Sequence, residues 1–283
     1  MLDELFKRFV KEKTYLSNVS PKTVRYYQQS YNAFKKAVGA ELPTRNLLND
    51  FVVKLRENGM SANGANVYIG GMNSFLSWLW ENNQTSEHLK IRKLKGENKV
   101  IQSFSDQQLR TLLSFRPSSF AEHRLYALLC LVIDTGLRIE ECLTLTRSKI
   151  DFDNLFLTVN GKGNKARVVP LSQELRKVLY RWSRHHDSEL FFSTRHGSKL
   201  SYRNSLRDFQ NLAKKLGITG VRIGWHTLRH GFALNYVRQG GSLFHLQKAL
   251  GHSSLQMTRR YVELSNEDLK EMHHKTSLLA RIR

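Results

Sequence analysis

Four short motifs between residues 135 and 261 carry residue types that could do chemistry. In chain order they read TGLRIEE, GKGNK, HTLRH and LGHSSLQMTRRY. The first places Arg138 and Glu141 just after a glycine, although an arginine in such a position is most often only a surface cation. The second is a glycine-rich turn in which Lys162, Lys165 and the nearby Arg167 either face solvent or contact phosphate.

The other two motifs add histidines and a tyrosine. His226 and His230 have the spacing of a helical metal pair, but a zinc-protease helix requires Glu where Thr227 stands, so no metal is predicted. His226 and Arg229 share a helix face, where an imidazole and a guanidinium could meet one anion. A tyrosine at an apolar helical period is by itself most often a core residue, which is the simple interpretation of Tyr261.

The elements before these motifs are predicted to form a helical domain over residues 1–88. Apolar residues recur with a helical period in four stretches. Ser20 precedes a proline as an N-cap does, and the later helices start near Thr44 and at Ser61. Residues 89–104 contain five cations between Lys90 and Lys99 and no sustained period, which predicts a basic, solvated linker.

The remaining residues, 105–283, are predicted to form a second domain that is mainly α with a small antiparallel β-sheet. It opens at Ser105, with Gln108 at the capping-box position. An apolar helix over 122–135 ends at Gly136, and residues 155–171 alternate as two strands around the glycine-rich turn. Further helices are expected near residues 173–185, 202–216, 227–239, 243–250, 254–262 and 266–279.

The charge of the chain predicts its partner. There are 45 Lys and Arg against 24 Asp and Glu among 283 residues, a formal net charge of +21, and 40% of residues are hydrophobic. This composition excludes a disordered chain, and cations spread through apolar sequence favour nucleic acid over a membrane surface as the partner. No apolar run is long enough to span a membrane, and Cys130 and Cys142 are expected to be buried thiols, so a cytoplasmic location is predicted.

Taken together, the motifs resemble the active site of the tyrosine recombinase family, also called phage-type integrases. The order is Arg, Lys, His, Arg, His, Tyr, carried by Arg138, Lys162, His226, Arg229, His252 and Tyr261. Arg229 and His252 lie 23 residues apart, which is similar to Xer-like members. More weakly, the start SPKTVRYY resembles that of the family's core-binding domain.

The resemblance implies DNA transesterification without metal, ATP or another cofactor. Tyr261 would attack a DNA phosphorus, giving a 3′-phosphotyrosyl link and a free 5′-hydroxyl. Arg138 and Arg229 would clamp the non-bridging oxygens, with His252 as a further donor. Lys162 would protonate the leaving 5′-oxygen.

The resemblance also implies supporting roles and a DNA-binding surface. His226 would assist proton transfer or hold the phosphate, and Glu141 would orient a neighbouring cation or histidine. The residues expected to contact DNA are Lys22, Arg25, Lys165, Arg167, Arg203 and Arg207.

The family's reaction implies a homotetramer on two double-stranded DNA sites, working through a Holliday junction, and a monomer or weak oligomer when DNA is absent. Residues 266–283 would be an exchange helix that docks into a neighbour, or else a helix packed on its own domain. A type IB topoisomerase and a non-catalytic DNA-binding protein with this fold are the alternatives. The sequence leaves open whether the role is mobile-element integration and excision, cointegrate resolution or chromosome-dimer resolution.

Overall fold

The computed structural model describes residues 1–96, 103–161, 166–251, 258, 273–274 and 277. Contacts divide the chain into two compact units, Met1–Val100 and Ile101–Arg283. None of the helices in the described part of the chain is long and apolar enough to cross a membrane. The helices expected near 254–262 and 266–279 lie outside the described residues, apart from isolated positions.

The first unit is formed by four helices. They are α1 (Leu2–Tyr15), α2 (Pro21–Val38), α3 (Arg45–Glu57) and α4 (Ala62–Glu81). Ser20, Thr44 and Ser61 each accept a hydrogen bond from the backbone N–H three residues on. These bonds satisfy amides that the first turn leaves without a helical partner, so the predicted helix starts are confirmed.

An aromatic cluster forms the centre of this first core. The rings of Phe6 and Tyr31 stack with centroids 4.0 Å apart, and Phe75 meets Phe6 edge-on at 5.2 Å. Phe9 and Trp78 complete the cluster, so α1, α2 and α4 are joined by large buried rings.

The prediction of a solvated linker over residues 89–104 is wrong at both ends. Leu89 and Ile91 are buried in the first core, and the Asn73 side chain pairs with the backbone of Ile91 in both directions. Phe104 is buried in the core of the second unit. The physical reason is alternation: in an extended segment every second side chain points inward, so the cations such as Lys90 lie outside while the apolar residues pack.

The second unit is mainly helical with one small sheet, as predicted. The helices among its described residues are α5 (Asp106–Leu113), α6 (Phe120–Thr135), α7 (Ile139–Leu143), α8 (Gln173–Ser183), α9 (Tyr202–Lys215), α10 (Trp225–Arg238) and α11 (Leu243–Leu250). Its strands β1 (Ile150–Asp151), β2 (Phe156–Asn160) and β3 (Ala166–Pro170) form an antiparallel sheet in the order β1-β2-β3. In the β2–β3 register Leu157 lies opposite Val169, and Val159 lies opposite Arg167.

Helix α6 is the centre of this second core, and its two ends are fixed by local sequence. Ser119 and Glu122 form a capping box at its start, and Gly136 ends it in the left-handed conformation. Half of its 16 residues are buried, and it packs against α8 and α10. Helix α6 therefore holds the TGLR turn at a fixed place.

The two cysteines are both free thiols, but only one is fully buried. Cys142 is buried, whereas Cys130 is half-buried and beside Tyr126. Desolvation raises the pKa of both, that of Cys130 to about 11, so neither is a reactive thiolate at neutral pH.

Candidate active site

The turn that ends α6 delivers Arg138 to the start of α7. Gly136 has a φ of +62°, and a Cβ at this position would lie 2.3 Å from the ring of Phe232. Only glycine therefore fits both the conformation and the space. The backbone N–H of Arg138 donates to Oε2 of Glu141 at 2.9 Å, which caps the short helix that the sequence did not predict.

Glu141 is a buried carboxylate held by two arginines. Its side chain is 7% exposed, and it accepts from Nη1 and Nη2 of Arg167 at 2.9 Å each and from Nη1 of Arg138 at 3.2 Å. Burial alone would raise the pKa of Glu141, but the hydrogen bonds from Arg167 and the Arg138 backbone, with both positive charges, lower it. The carboxylate is therefore ionised at neutral pH.

The carbonyls at the C-terminal end of α11 accept hydrogen bonds from the same two arginines and from Arg229. Arg167 Nε donates to the carbonyl of Ala249 at 2.9 Å, and Arg138 Nη2 donates to that of Gly251 at 3.3 Å. The carbonyl of Leu250 accepts from both Arg229 Nη2, at 2.9 Å, and Arg138 Nη1, at 3.2 Å. The last carbonyls of a helix have no helical partner and carry its negative dipole end, so they attract guanidinium groups. Three cations are thereby concentrated at the end of α11, and His252 directly follows Gly251 in the sequence.

Arg229 is the most deeply buried of the three arginines. Only 4% of the residue is exposed, and its Nη1 also donates to the carbonyl of Gly136 at 2.7 Å. Because Gly136 ends α6 and Leu250 ends α11, the Arg229 guanidinium joins the C-terminal ends of two helices. Its position one turn into α10 depends on that helix starting at Trp225.

His226 lies exposed on the first turn of α10, among positive charges. Its pKa is lowered, first by partial desolvation and then by the charges of Arg229, Arg138 and Arg222. The imidazole is therefore neutral at neutral pH and able to accept a proton. Its ring lies 6.4 Å from that of His230, and among the described residues no three His, Cys, Asp or Glu side chains come together as metal ligands.

The prediction that Arg167 projects from the hairpin toward DNA phosphate is wrong. Its side chain is only 11% exposed, and its guanidinium is occupied by Glu141 and the Ala249 carbonyl. The reason is strand alternation: Arg167 shares the face of β3 with buried Val169, whereas Val168 between them is exposed. The alternating pattern of ARVVP carried this signal, and counting cations at the turn missed it.

The other residues expected to contact DNA divide between the two units. Lys22 and Arg25 are exposed near the start of α2 in the first unit, and Arg203 and Arg207 are exposed on α9 in the second. Arg207 lies 3.6 Å from a carboxylate oxygen of Asp208.

Four predicted site residues, Lys162, Lys165, His252 and Tyr261, lie outside the described residues. Some residues near them in the sequence are described. Asn160 ends β2 directly before the GKGNK motif, Gly251 is the C-cap of α11, and Thr258 is helical and buried three residues before Tyr261.

Arg138, Arg167 and Arg229, with the acceptors that they share, are called the arginine cluster below. The unit that contains this cluster matches a known protein family. The model of the phage integrase family matches residues 102–268. The chain belongs to this family.

Related proteins agree with this family assignment. The chain is 31% identical over 269 residues to tyrosine recombinase XerA of Thermococcus onnurineus, covering 93% of this chain and 92% of the relative. Tyrosine recombinase XerC of Chromobacterium violaceum is 27% identical over 282 residues, with 96% and 94% covered. The integrase is thus an enzyme of the tyrosine site-specific recombinase class.

Two solved structures have the same fold. XerH recombinase bound to a palindromic difH substrate in a post-cleavage complex has a TM-score of 0.76 at 20% identity, covering 97% of this chain and 84% of that one. An integrase of transposon Tn1549 in complex with transposon right-end DNA has a TM-score of 0.81 at 16% identity, covering 96% and 99%.

Proposed function

We propose that this integrase cuts and rejoins DNA at specific double-stranded sites through a 3′-phosphotyrosyl intermediate. The observation that carries the proposal is that Arg138, Arg167 and Arg229 all donate to the last carbonyls of α11. The first two of these arginines also bind the buried carboxylate of Glu141. Three guanidinium groups against one carboxylate leave a local excess of positive charge. Such an excess suits the dianionic transition state of phosphoryl transfer.

The two arginines of the proposed clamp differ in what they can offer a phosphate. Arg138 has a side chain 34% exposed and is held from behind by Glu141 and the α11 carbonyls, so its outer edge can face a DNA phosphate. Arg229 lies deeper, and its bonds to Gly136 and Leu250 fix it before substrate arrives. A preorganised donor of this kind costs no reorganisation when charge develops on the non-bridging oxygens.

The remaining steps are assigned from the family resemblance. The hydroxyl oxygen of Tyr261 forms a bond to phosphorus as the bond from phosphorus to the 5′-oxygen breaks, and Lys162 gives its proton to that oxygen. The neutral His226 is suited to accept or relay the tyrosine proton, and His252 adds a donor to the phosphate. Rejoining is the reverse reaction with a 5′-hydroxyl from the partner strand, so the phosphodiester energy is retained.

We further propose that a homotetramer brings two DNA sites together and exchanges strands through a Holliday junction. One active site cleaves one strand, so exchange between two duplexes requires four. Residues 266–283 would link neighbouring subunits as an exchange helix. Deleting them should preserve binding of a single site and abolish recombination of a two-site plasmid, whereas wild-type recombination by the deletion variant would exclude this role.

Covalent capture tests the proposed reaction directly. A DNA site carrying a nick beside the cleavage position loses its 5′-hydroxyl fragment by diffusion, which traps the protein on the strand. We expect an SDS-resistant adduct in the presence of EDTA for the wild-type chain and none for Tyr261→Phe, which removes one hydroxyl and should bind the site normally. An adduct with Tyr261→Phe would contradict the assignment of the nucleophile, and no adduct with any site bound by the wild-type chain would contradict the reaction.

A further inference from the structure

The Arg167 side chain makes three hydrogen bonds within the arginine cluster. Both terminal nitrogens of its guanidinium bind Glu141 in a two-point pair, and its Nε binds the carbonyl of Ala249. The residue lies on β3, so these three bonds connect the hairpin, helix α7 and the end of α11. Such a planar two-point pair also fixes direction, which a lysine in the same place would not do.

Gly251 supplies a second, independent observation. This residue is in the left-handed conformation with a φ of +64°, and a Cβ on it would lie 2.9 Å from both Cζ and Nη1 of Arg167. The Arg167 guanidinium therefore lies against the bare backbone at the end of α11. Gly251 directly precedes His252 in the sequence.

We propose that Arg167 is a positioning residue for DNA cleavage, one that sets the pose of Arg138 through Glu141 and fixes the end of α11 that precedes His252. The inference rests on the proposed function, since it concerns how that clamp is held. Arg167 itself does not touch the DNA.

The charge balance around Glu141 explains why replacing Arg167 should change the orientation of Arg138. Glu141 is almost fully buried, and a buried carboxylate that loses a partner is strongly destabilised unless another cation compensates. In the described part of the chain, Arg138 also donates to Glu141, at 3.2 Å. Without Arg167 the Arg138 guanidinium should turn toward Glu141, or the carboxylate should take up a proton. In either case Arg138 is no longer held in its orientation toward the DNA phosphate.

The salt dependence of DNA binding distinguishes this role from direct phosphate contact. Each phosphate contact contributes about 0.9 to the slope of log K against log salt concentration. We therefore expect Arg167→Ala to leave that slope unchanged. A slope reduced by about one unit would mean that Arg167 contacts DNA and would overturn the proposal.

Cleavage of two DNA substrates tests the positioning role itself. One carries the normal scissile phosphate, and the other carries a methylphosphonate there, in which a methyl group replaces a charged non-bridging oxygen. Because the methylphosphonate lacks the charge that Arg138 stabilises, Arg138→Ala should be impaired on the normal substrate and largely relieved on the neutral one. We expect Arg167→Ala to be slower than wild type on the normal DNA by on the order of 10- to 100-fold, the effect of misplacing a catalytic group by about 1 Å, and to be relieved in the same way.

Arg124→Ala is the matched control. Arg124 is also a buried arginine of the second unit, bound to the carbonyl of Ser193 and 3.6 Å from Asp208, but it lies near the start of α6, whereas the cluster lies beyond the end of that helix. Its loss should lower stability without changing the ratio of rates on the two substrates. A conservative Arg167→Lys variant, which keeps the charge but not the two-point pair, should fall between wild type and Arg167→Ala.

The outcomes separate the inference from the proposed function. Suppose that wild type cleaves and that the Arg138→Ala variant is relieved on the methylphosphonate. If the Arg167→Ala variant is then equally slow on both substrates, Arg167 does not act through Arg138 and the positioning role is wrong. If Arg167→Ala cleaves the normal DNA at the wild-type rate, the role is also wrong. If wild type itself forms no adduct, the proposed function fails instead.

Discussion

The guanidinium groups of Arg138 and Arg229 donate to the same atom, the carbonyl oxygen of Leu250, at 3.2 and 2.9 Å. Two like charges thus share one acceptor at the C-terminal end of α11, where the helix dipole and the carboxylate of Glu141 offset their repulsion. A bound phosphate would relieve the remaining repulsion. The cluster is therefore electrostatically prepared for an anion.

The alanine variants of Arg138 and Arg229 should differ in stability but not in their loss of cleavage. Replacing either Arg138 or Arg229 by Ala should reduce cleavage by on the order of 100-fold or more, as loss of one preorganised donor does. Only Arg229→Ala should also be clearly less stable, by about 1–3 kcal/mol, because it removes the arginine donor to the buried carbonyl of Gly136 and one of the two arginine donors to that of Leu250. Urea unfolding and single-turnover cleavage measure the two effects. Near-normal cleavage by both variants would place the clamp elsewhere.

The role of Lys162 can be tested by changing the leaving group of the cleavage reaction. If it protonates the 5′-oxygen, Lys162→Ala should be slow on ordinary DNA and largely rescued when sulfur replaces that bridging oxygen, because a thiolate leaves without a proton. Lys165→Ala, at the other end of the same GKGNK motif, is the control and should show no such rescue. Equal impairment of Lys162→Ala on both substrates would assign this lysine to phosphate binding.

His226 should make the free protein less stable on the acid side of neutrality. Its folded-state pKa lies below the ordinary value of 6.5, so the unfolded chain binds the proton more readily. Between pH 6.5 and the lowered pKa, protonation of the unfolded chain therefore reduces the free energy of unfolding as the pH falls. The wild-type chain should lose this part of its free energy of unfolding and the His226→Gln variant should not. Their pH profiles of urea unfolding should therefore diverge below pH 6.5. Parallel profiles would contradict the shift.

The exposed cations of α9 should contribute to DNA affinity through phosphate contacts. Arg203→Ala and Arg207→Ala should each weaken site binding and lower the slope of log K against log salt by about 0.9. Lys177→Ala is the control, because Lys177 on α8 is already paired with Glu174 at 2.9 Å. Gel-shift titrations at several salt concentrations give the slopes. Unchanged slopes for both α9 variants would place the DNA elsewhere.

The sequence by itself determined the features that depend on neighbouring residues. Ser20, Thr44, Ser61 and Ser105 each bond an amide three residues on, and Gly136 ends α6 because its conformation is unfavourable for other residues. A bond between residues so close in the chain forms wherever the local sequence permits it. The family motifs likewise depend on order and spacing, which the sequence states directly.

The tertiary structure decided what joins distant parts of the chain. Leu250 lies 112 residues from Arg138 and 21 from Arg229, and Ala249 lies 82 residues from Arg167, yet these groups meet at one helix end. The alternation in ARVVP indicates only that Arg167 lies on the inward face of β3. That it meets the carboxylate of Glu141 there depends on the packing of β3, α7 and α11 together. For this reason Arg167, expected at the DNA, lies instead inside the arginine cluster.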